Sequence, residues 1–490
     1  MNLHRDILRL AVPSILANIT VPLVGMVDIA VAGHLGASGG LGAAALIGGI
    51  SIGTMLFDML YWNFGFLRGG TGGLTAQAYG RMTAHPEGSD ENALAKRDIA
   101  LTLKRALGIA LGSGLLLVAL QWVVVQVAFL LVDCSPEVQK LATQYFYIRI
   151  WAAPATLSLF AFKGWFIGMQ DTVRPMTCDL IVNFTNILLS VGLAFGYAGL
   201  PALGFAGVAW GTLIAQWTGF AYASLAVRRR YGRIFREAGD SFASLGMTKG
   251  NAGTTDCHPE EVEDRRRDLD RKGWRAFFVL NRDLFFRSLC MIAVYIGFTM
   301  ISARYGDMML AVGAILMKLL MIFSYFTDGF AYAGEALTGR FIGERSPDGV
   351  RSTIRQTFLW SLGVTGLFFL VYGVGGVPLL RLMTSDPGVV EAGREFIPWL
   401  LLMPVIGCPA FTWDGIFTGA TASKDLRNST VWCVVGFFGV WALGIGLLRA
   451  AFGTVPETPA IHLLMAAYFT HLAVRAAYLT LRWRKAIPYA

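Results

Sequence analysis

The first long apolar stretch, residues 7–33, contains a single carboxylate, Asp28, which lies six residues after Pro22. The stretch is long enough to cross a bilayer, which takes about 20 apolar residues. An ionised carboxylate at the centre of such a span costs about 2.5–3.5 kcal/mol on insertion scales. A carboxylate kept at that cost predicts a role in ion handling, and we expect Asp28 to bind a proton. The structural alternative is a capping or kink-stabilising role beside Pro22.

A second set of polar residues lies in the apolar segment 176–198. Asp179, Asn183 and Asn186 stand at positions i, i+4 and i+7, which places them on one helix face. If this face meets Asp28, the carboxylates of Asp28 and Asp179 lie together among side-chain amide donors. Repulsion between the two carboxylates then favours protonation of one of them. We therefore predict that these four residues form the ion-coupling site. The alternatives are that the asparagines only hold helices together and that Asp179 lies in water at the cytoplasmic end.

Six further ionisable residues lie inside apolar segments, and we predict that they line a cavity or a gate: Arg68, Lys163, Lys318, Asp328, Glu335 and Asp414. Asp328 and Glu335 are seven residues apart and share one helix face. The expected partners of the carboxylates in the second half are Arg68 and Lys163 from the first half, or Lys318 from the same half. A buried structural ion network is the alternative interpretation.

Motifs of soluble enzymes do not occur in the chain. It has no Walker A loop, no His-Glu-x-x-His metal motif and no Gly-x-Ser-x-Gly nucleophile motif. The 6 cysteines are scattered and show no zinc-type spacing. We expect no enzymatic activity, no cofactor and no resident metal. Energy for transport would come from an ion gradient, with H⁺ as the coupling ion and Na⁺ at Asp28 as the alternative.

Composition indicates an integral membrane protein. The 490 residues are 55% hydrophobic and 15% charged, whereas soluble domains have about 25% charged residues. We predict an all-α protein with about twelve transmembrane helices. The expected spans are residues 7–33, 44–79, 102–131, 142–168, 176–198, 207–227, 285–303, 310–339, 355–380, 395–419, 427–450 and 461–482.

The distribution of positive charge sets the expected orientation. Most of the 41 Lys and Arg residues fall in every second loop, which predicts that both termini are cytoplasmic in a bacterial inner membrane. Arg149 is among the few that we assign to an outer loop. This placement explains the net charge of +9 without a nucleic acid. The expected partners are membrane lipids and small organic molecules, and we expect a monomer.

The chain is predicted to consist of two similar halves. Residues 1–227 form an N-terminal lobe of six helices, 228–284 a cytoplasmic connection with an insert at 239–272, and 285–490 a C-terminal lobe. We expect the connection to be a solvated, partly disordered linker. The sequence Gly-Trp-Phe-Ile-Gly at 164–168 matches Gly-Ile-Phe-Thr-Gly at 415–419, and residues 65–80 match 329–343. Two matches in the same order predict two pseudo-symmetric bundles around a central cavity.

Several of these motifs resemble those of the multidrug and toxic compound extrusion (MATE) transporters of the DinF-like branch. The resemblance covers both halves and omits only the insert. It rests on residues 13–36 with Pro-Ser-Ile-Leu-Ala-Asn and Val-Asp-Ile-Ala-Val-Ala-Gly, and on 66–78, 164–170, 328–337 and 414–421.

The resemblance implies an antiporter that exports organic, often cationic, compounds in exchange for inward H⁺ or Na⁺. In similar proteins the aspartate of the first helix takes the coupling ion and its protonation bends that helix, and Asp28 and Pro22 match these positions. Asp179 and Asn183 resemble polar partners on the fifth helix. Many members also have a carboxylate on the seventh helix. The segment 288–303 has none, which favours the proton at Asp28.

Two other functions were weighed against export of organic compounds. A flippase for lipid-linked saccharides or phospholipids would use Arg68, Lys163 and Lys318 to hold an anionic headgroup. An intramembrane enzyme would need a metal site or a nucleophile beside a base, and the sequence shows neither arrangement. The sequence therefore favours a secondary multidrug antiporter, with the flippase as the alternative.

Overall fold

The computed structural model describes residues 3–38, 42–131, 134–245, 259–305, 307–383, 387–453 and 455–489, and these residues form helices and short connections without a strand. This confirms the all-α fold class. In chain order the helices are α1 Leu3–Ser38, α2 Ala43–Trp62, α3 Gly65–Ala84, α4 Asp90–Ala119, α5 Gln121–Leu131, α6 Pro136–Arg149, α7 Ala153–Gly168, α8 Val173–Phe195, α9 Phe205–Leu245, α10 Pro259–Ser302, α11 Asp307–Gly343, α12 Pro347–Met383, α13 Pro387–Arg394, α14 Ile397–Gly419, α15 Ser423–Phe452 and α16 Glu457–Ala486.

Most of the predicted membrane spans are present as long apolar helices. Among the described residues, 11 segments are long and apolar enough to cross a membrane, and they correspond to all the predicted spans except 207–227. That segment is helical and forms the first part of α9. It is not among the 11 because polar residues such as Gln216 and Thr218 lower its hydropathy.

Two segments that were expected to be loops are helical. α4 begins at Asp90 rather than near residue 102, because the Ser89 side chain accepts a hydrogen bond from the Asn92 amide and acidic residues occupy the first turn. The connection 228–284 is also helical at both ends, since α9 continues to Leu245 and α10 begins at Pro259. Residues 246–258 of the expected insert lie outside the described residues.

The described chain forms two compact units. The first unit, as named here, contains Leu16–Phe278, and the second contains Met1–Ile15 and Val279–Ala490. The start of α1 therefore packs with the second half of the chain, and an ideal Cβ on Gly329 of α11 would lie 2.9 Å from the carbonyl oxygen of Ala11. Likewise, the first part of α10 packs with the first half, where the Arg105 guanidinium lies 5.4 Å from the centroid of the Trp274 ring.

The internal repeat is visible in how each unit packs. In the first half, an ideal Cβ on Gly164 of α7 would lie 2.1 Å from the carbonyl oxygen of Arg68 on α3. In the second half, a Cβ on Gly415 of α14 would lie 2.0 Å from the carbonyl oxygen of Ala331 on α11. Both helix pairs therefore approach so closely that only glycine fits. This supports the sequence match between 164–168 and 415–419.

The helix ends that follow these glycines are also alike. After α7, Gln170 has a φ of 61° and the Asp171 amide donates to the Phe166 carbonyl over 2.9 Å. After α14, Thr421 has a φ of 55° and the Ala422 amide donates to the Phe417 carbonyl over 3.0 Å. Each is a helix end closed by one residue in the left-handed region.

The C-terminal part of α9, which we call the α9 extension, is fixed to the first unit. Tyr231 donates a hydrogen bond to Asp171 over 2.8 Å, and its ring lies edge-on to Trp165 at 4.9 Å. Lys96 Nζ lies 2.7 Å from the Glu237 carboxylate. Burial raises the pKa of Tyr231, and the Asp171 carboxylate adds to the effect. The described part of this connection is therefore a docked helix.

Candidate functional site

Asp28 lies in the interior of the first unit. It is 6% exposed on α1, and its Oδ1 atom has no hydrogen-bond partner among the described residues. Its polar surroundings are the Ser190 hydroxyl of α8 and the Arg149 guanidinium of α6. Neighbouring residues of α1, including Val31 and Ala32, belong to an apolar cluster of buried side chains. The carboxylate is therefore held in a largely apolar environment.

Arg149 is a residue that the sequence analysis placed in an outer loop, which is wrong. It ends α6 inside the apolar segment Pro136–Gly168. Its Nη1 atom donates to the Tyr145 hydroxyl over 3.0 Å and to Thr54 Oγ1 over 3.5 Å, and its guanidinium lies 4.8 Å from the Phe57 ring centroid. Tyr145 and Phe57 are fully buried. The guanidinium is thus fixed inside the unit, and it interacts electrostatically with Asp28 without forming an ion pair among the described residues.

One residue of the polar face of α8, Asn183, contacts α1. The Asn183 amide donates to Thr20 Oγ1 over 2.7 Å, two residues before Pro22. Pro22 is exposed, and α1 is helical through it. Proline has no N–H, so the helical hydrogen bond to the Asn18 carbonyl is missing there. The bend assigned to Pro22 remains a prediction.

Asn186 contacts α9 rather than α1. Its amide donates to Thr212 Oγ1 over 2.8 Å, and both side chains are buried. Its Oδ1 atom has no hydrogen-bond partner among the described residues. Asn186 therefore joins α8 to α9, and its proposed part in ion coupling remains a prediction.

Asp179 forms an ion pair with Lys163. The Lys163 Nζ atom of α7 lies 2.5 Å from Asp179 Oδ1, and the two side chains are 26% and 16% exposed. Lys163 therefore compensates the charge of Asp179, and the shared ion-coupling site of Asp179 and Asp28 remains a prediction. The expectation that Lys163 pairs with a carboxylate of the second half is wrong. Arg68 is half-buried on α3 and adds a positive charge near Lys163.

In the other unit, Asp414 is bound by two arginines that the sequence analysis did not consider. Arg475 of α16 donates from Nε to Asp414 Oδ1 over 3.0 Å, and its Nη2 contacts Oδ2. Arg287 of α10 contacts the same Oδ2 atom. Lys318 is exposed and has no ion pair among the described residues. The expected pairing of Asp414 with Arg68, Lys163 or Lys318 is therefore wrong.

The carboxylates of α11 lie in the same unit. Asp328 is half-buried and interacts electrostatically with Arg475, and Glu335 is only 1% exposed. With Asp414 and its arginines they agree with a buried ion network, the alternative that the sequence left open. Their role in a gate remains a prediction. Within the described residues, no three His, Cys, Asp or Glu side chains come together as a metal site.

The helix that contains the seventh predicted span has a carboxylate before residue 288. The sequence analysis limited this segment to 288–303, but the apolar helix runs over Gly273–Ser302 and includes Asp283. Asp283 is 0% exposed, lies 2.8 Å from Arg427 Nη1 and accepts a hydrogen bond from Ser423 over 3.1 Å. The Asp283 carboxylate is therefore bound by the Arg427 guanidinium and the Ser423 hydroxyl. The preference for a proton that was drawn from segment 288–303 remains a prediction.

Two residues near Asp28 had a signal in the sequence. Ser190 follows Asn186 by four residues, so it continues the polar face of the fifth span. Arg149 stands between Ile148 and Ile150 inside the predicted span 142–168. A charged residue in such a position is a candidate for function by the same reasoning that selected Asp28.

Comparison with known proteins agrees with this fold. The MatE family profile matches residues 13–191 and 284–439. DNA damage-inducible protein F of Escherichia coli K12 is 32% identical over 478 residues, covering 97% of this chain and 91% of that protein. The probable multidrug resistance protein NorM of Thermotoga maritima is 22% identical over 449 residues, covering 90% of this chain and 83% of that protein.

Solved structures show the same fold. The Vibrio cholerae MATE transporter VcmN in the bent form superposes with a TM-score of 0.76 at 17% identity, covering 99% of this chain and 97% of that one. A MATE structure in the bent conformation gives a TM-score of 0.75 at 14% identity, with 99% and 96% covered. The family profile spans more than half of the chain and includes Asp28 and Asn183. This multi-pass membrane protein therefore belongs to the MatE family of multidrug and toxic compound extrusion transporters, which are not enzymes.

Proposed function

We propose that this protein is a secondary active antiporter that exports organic, often cationic, compounds in exchange for H⁺. The observation that carries the proposal is the environment of Asp28, which is 6% exposed in an apolar span and has one carboxylate oxygen without a hydrogen-bond partner in the described part of the chain. Ionising a carboxylate there is costly, and taking up a proton removes the charge. The name of the Thermotoga relative, a probable multidrug resistance protein, supports organic compounds as substrates.

Arg149 favours a proton over Na⁺ as the coupling ion. Its guanidinium interacts electrostatically with Asp28, and a positive charge in this region opposes the binding of a metal cation. A bound Na⁺ also needs several oxygen ligands, whereas a proton needs only the carboxylate. Na⁺ at Asp28 is the alternative that the experiment below decides.

The substrate would leave as the proton enters. In this scheme, protonation of Asp28 removes the negative charge beside α8 and lets α1 change shape at Pro22, where the helix already lacks one hydrogen bond. The proton enters from the outside, resides on the Asp28 carboxylate and is released to the cytoplasm. A membrane potential of 100 mV supplies about 2.3 kcal/mol for each net charge moved. Exchange of two protons for one monovalent cation therefore uses the potential, whereas a one-for-one exchange is driven by the pH difference alone.

The test uses the full-length protein in proteoliposomes that contain a fluorescent organic cation. A pH gradient and a Na⁺ gradient are imposed separately, and dye movement is compared between the wild type and Asp28→Asn. The matched control is Asp98→Asn, since Asp98 is an exposed carboxylate that pairs with Arg81. We expect the wild type and the control to respond to the pH gradient and Asp28→Asn not to respond. A response to Na⁺ alone, or coupled export by Asp28→Asn, would reject the proposal.

A further inference from the structure

The first part of α10 has an exposed face that combines aromatic rings with positive charge. Arg271, Trp274, Arg275 and Phe278 stand at positions i, i+3, i+4 and i+7, which places them on one side of the helix. All four side chains are exposed, Trp274 by 39% and Phe278 by 55%. The rings of Trp274 and Phe278 are stacked, with their centroids 5.3 Å apart. We call these four residues the α10 face.

The opposite side of the helix fixes the orientation of the α10 face. Phe277 is 0% exposed and belongs to a small buried cluster with Ala106 of α4. An ideal Cβ on Gly273 would lie 2.5 Å from the Nη1 atom of Arg105, so the helix lies directly against that side chain. The Arg105 guanidinium also lies 5.4 Å from the centroid of the Trp274 ring. The helix therefore cannot turn its aromatic pair inward without exposing Phe277.

The α10 face lies at the end of a membrane-spanning segment. The apolar segment that is long enough to cross a bilayer begins at Gly273, so Trp274 and Phe278 belong to its first two turns and Arg271 precedes it. Tryptophan at the end of a span lies at the level of the lipid headgroups, because its ring is apolar and its N–H group is polar. The exposed aromatic pair is therefore placed where acyl chains meet headgroups.

The charge around the aromatic pair is positive. Arg271 and Arg275 form no ion pair within the part of the chain that the structure describes. The Arg105 guanidinium beside the Trp274 ring adds a third positive charge. Guanidinium groups bind phosphate through two parallel N–H donors. The α10 face thus complements a ligand that has a phosphate group and an apolar part.

We propose that the α10 face binds an anionic phospholipid. The headgroup phosphate lies on Arg271 and Arg275, and the upper part of an acyl chain lies on Trp274 and Phe278. Free phosphate would use only the arginines, whereas the aromatic pair adds affinity for a ligand with apolar surface. This inference does not depend on the antiport function, because it concerns neither Asp28 nor the transported compound.

The test is quenching of Trp274 fluorescence by brominated lipids in vesicles that contain the full-length protein. The Trp274 signal is the difference in emission between the wild type and Trp274→Phe. Brominated phosphatidylglycerol and brominated phosphatidylcholine are each added in increasing fractions to unbrominated phosphatidylcholine, and the two quenching curves give a relative binding constant. For the wild type we expect phosphatidylglycerol to bind about fivefold or more tightly, and we expect 1 M salt to weaken this preference.

The variants assign the preference to the two arginines, and each is measured with and without Trp274→Phe. Arg271→Gln/Arg275→Gln should bind both lipids about equally, and Arg275→Gln alone should reduce the preference about fivefold. The matched control is Arg228→Gln/Arg229→Gln, which removes two exposed arginines from α9 and changes the net charge by the same amount. The control should keep the wild-type preference. The substituted arginines are exposed, so the variants should fold.

Four results would overturn the proposal. Trp274 that neither brominated lipid quenches would lie outside the bilayer, and equal quenching by both lipids in the wild type would show no preference for an anion. Loss of the preference in the control variant would mean that overall surface charge attracts the lipid. Inorganic phosphate is the last arm, since relief of quenching when it is added to vesicles with brominated phosphatidylglycerol would identify a site for a free anion.

Discussion

Lys163 Nζ lies 2.5 Å from Asp179 Oδ1 and joins α7 to α8 inside the first unit. Neither side chain is more than 26% exposed, so each charge depends on the other for compensation. Lys163→Met should lower the stability by about 3 kcal/mol, because a carboxylate without a partner is costly inside a membrane protein. The measurement is thermal unfolding of the full-length protein in detergent.

The double variant Lys163→Met/Asp179→Leu provides the control for this pair. Replacing both charges with apolar side chains is often neutral or stabilising, so the double variant should regain most of the lost thermal stability. A double variant that is less stable than Lys163→Met would show that Asp179 has another essential partner.

Asp414 forms ion pairs with two arginines. The side chain of one of them, Arg475, is only 2% exposed. Asp414→Asn should therefore cost about 3 kcal/mol or more, because it leaves buried guanidinium charges without an anion. Asp414→Asn should nevertheless keep its response to a pH gradient in proteoliposomes, since the coupling proton is assigned to Asp28. Loss of proton coupling with normal stability would place a coupling site in this unit as well.

The sequence was informative about those features that depend on pattern alone. Hydropathy and span length predicted 11 of the long apolar helices, and glycine spacing predicted the repeat that Gly164 and Gly415 show in their close helix contacts. The helix period placed Asn183 on the face of α8 that meets α1. Such features follow from local geometry and need no knowledge of which distant helices pack together.

The sequence could not assign ion-pair partners. Lys163 and Asp179 lie on neighbouring helices, but Asp414 pairs with Arg287 and Arg475, which are far apart in the sequence. Pairing depends on helix rotation and depth, and neither is fixed by a count of charges in loops. The rule that assigns positive residues to loops also misplaced Arg149, because that rule does not detect an arginine that tyrosine and phenylalanine rings shield.

Gly164 and Gly415 should respond alike to alanine. A Cβ at either position would lie 2.1 or 2.0 Å from a backbone carbonyl oxygen, and backbone cannot move aside as a flexible side chain can. Both Gly164→Ala and Gly415→Ala should therefore greatly reduce the amount of folded protein in the membrane. The measurement is size-exclusion chromatography of fluorescent fusions after equal expression.

Gly108→Ala is the matched control, because a Cβ at that position of α4 meets nothing within 4 Å. Alanine should stabilise the helix there by about 0.5–1 kcal/mol. If Gly164→Ala and Gly108→Ala gave the same yield of folded protein, the close approach of α7 to α3 would be contradicted.

Glu237 should make the docking of the α9 extension dependent on pH. Hydrogen bonds from Lys96 and Arg233 hold the pKa of Glu237 below its usual value of 4.5. Because the pKa is lowered in the folded protein, the ionised carboxylate contributes its full stabilising effect above the usual pKa. This contribution is lost as the pH falls from the usual pKa through the lowered one. Because the carboxylate is 32% exposed, Glu237→Gln should cost about 1 kcal/mol or less of stability at neutral pH.

Hydrogen exchange of the backbone amides around Tyr231 should be faster in Glu237→Gln than in the wild type at pH 7. This difference in exchange rate should disappear at a pH below the pKa of Glu237. A difference that persists in acid would mean that the effect does not come from the ionised carboxylate.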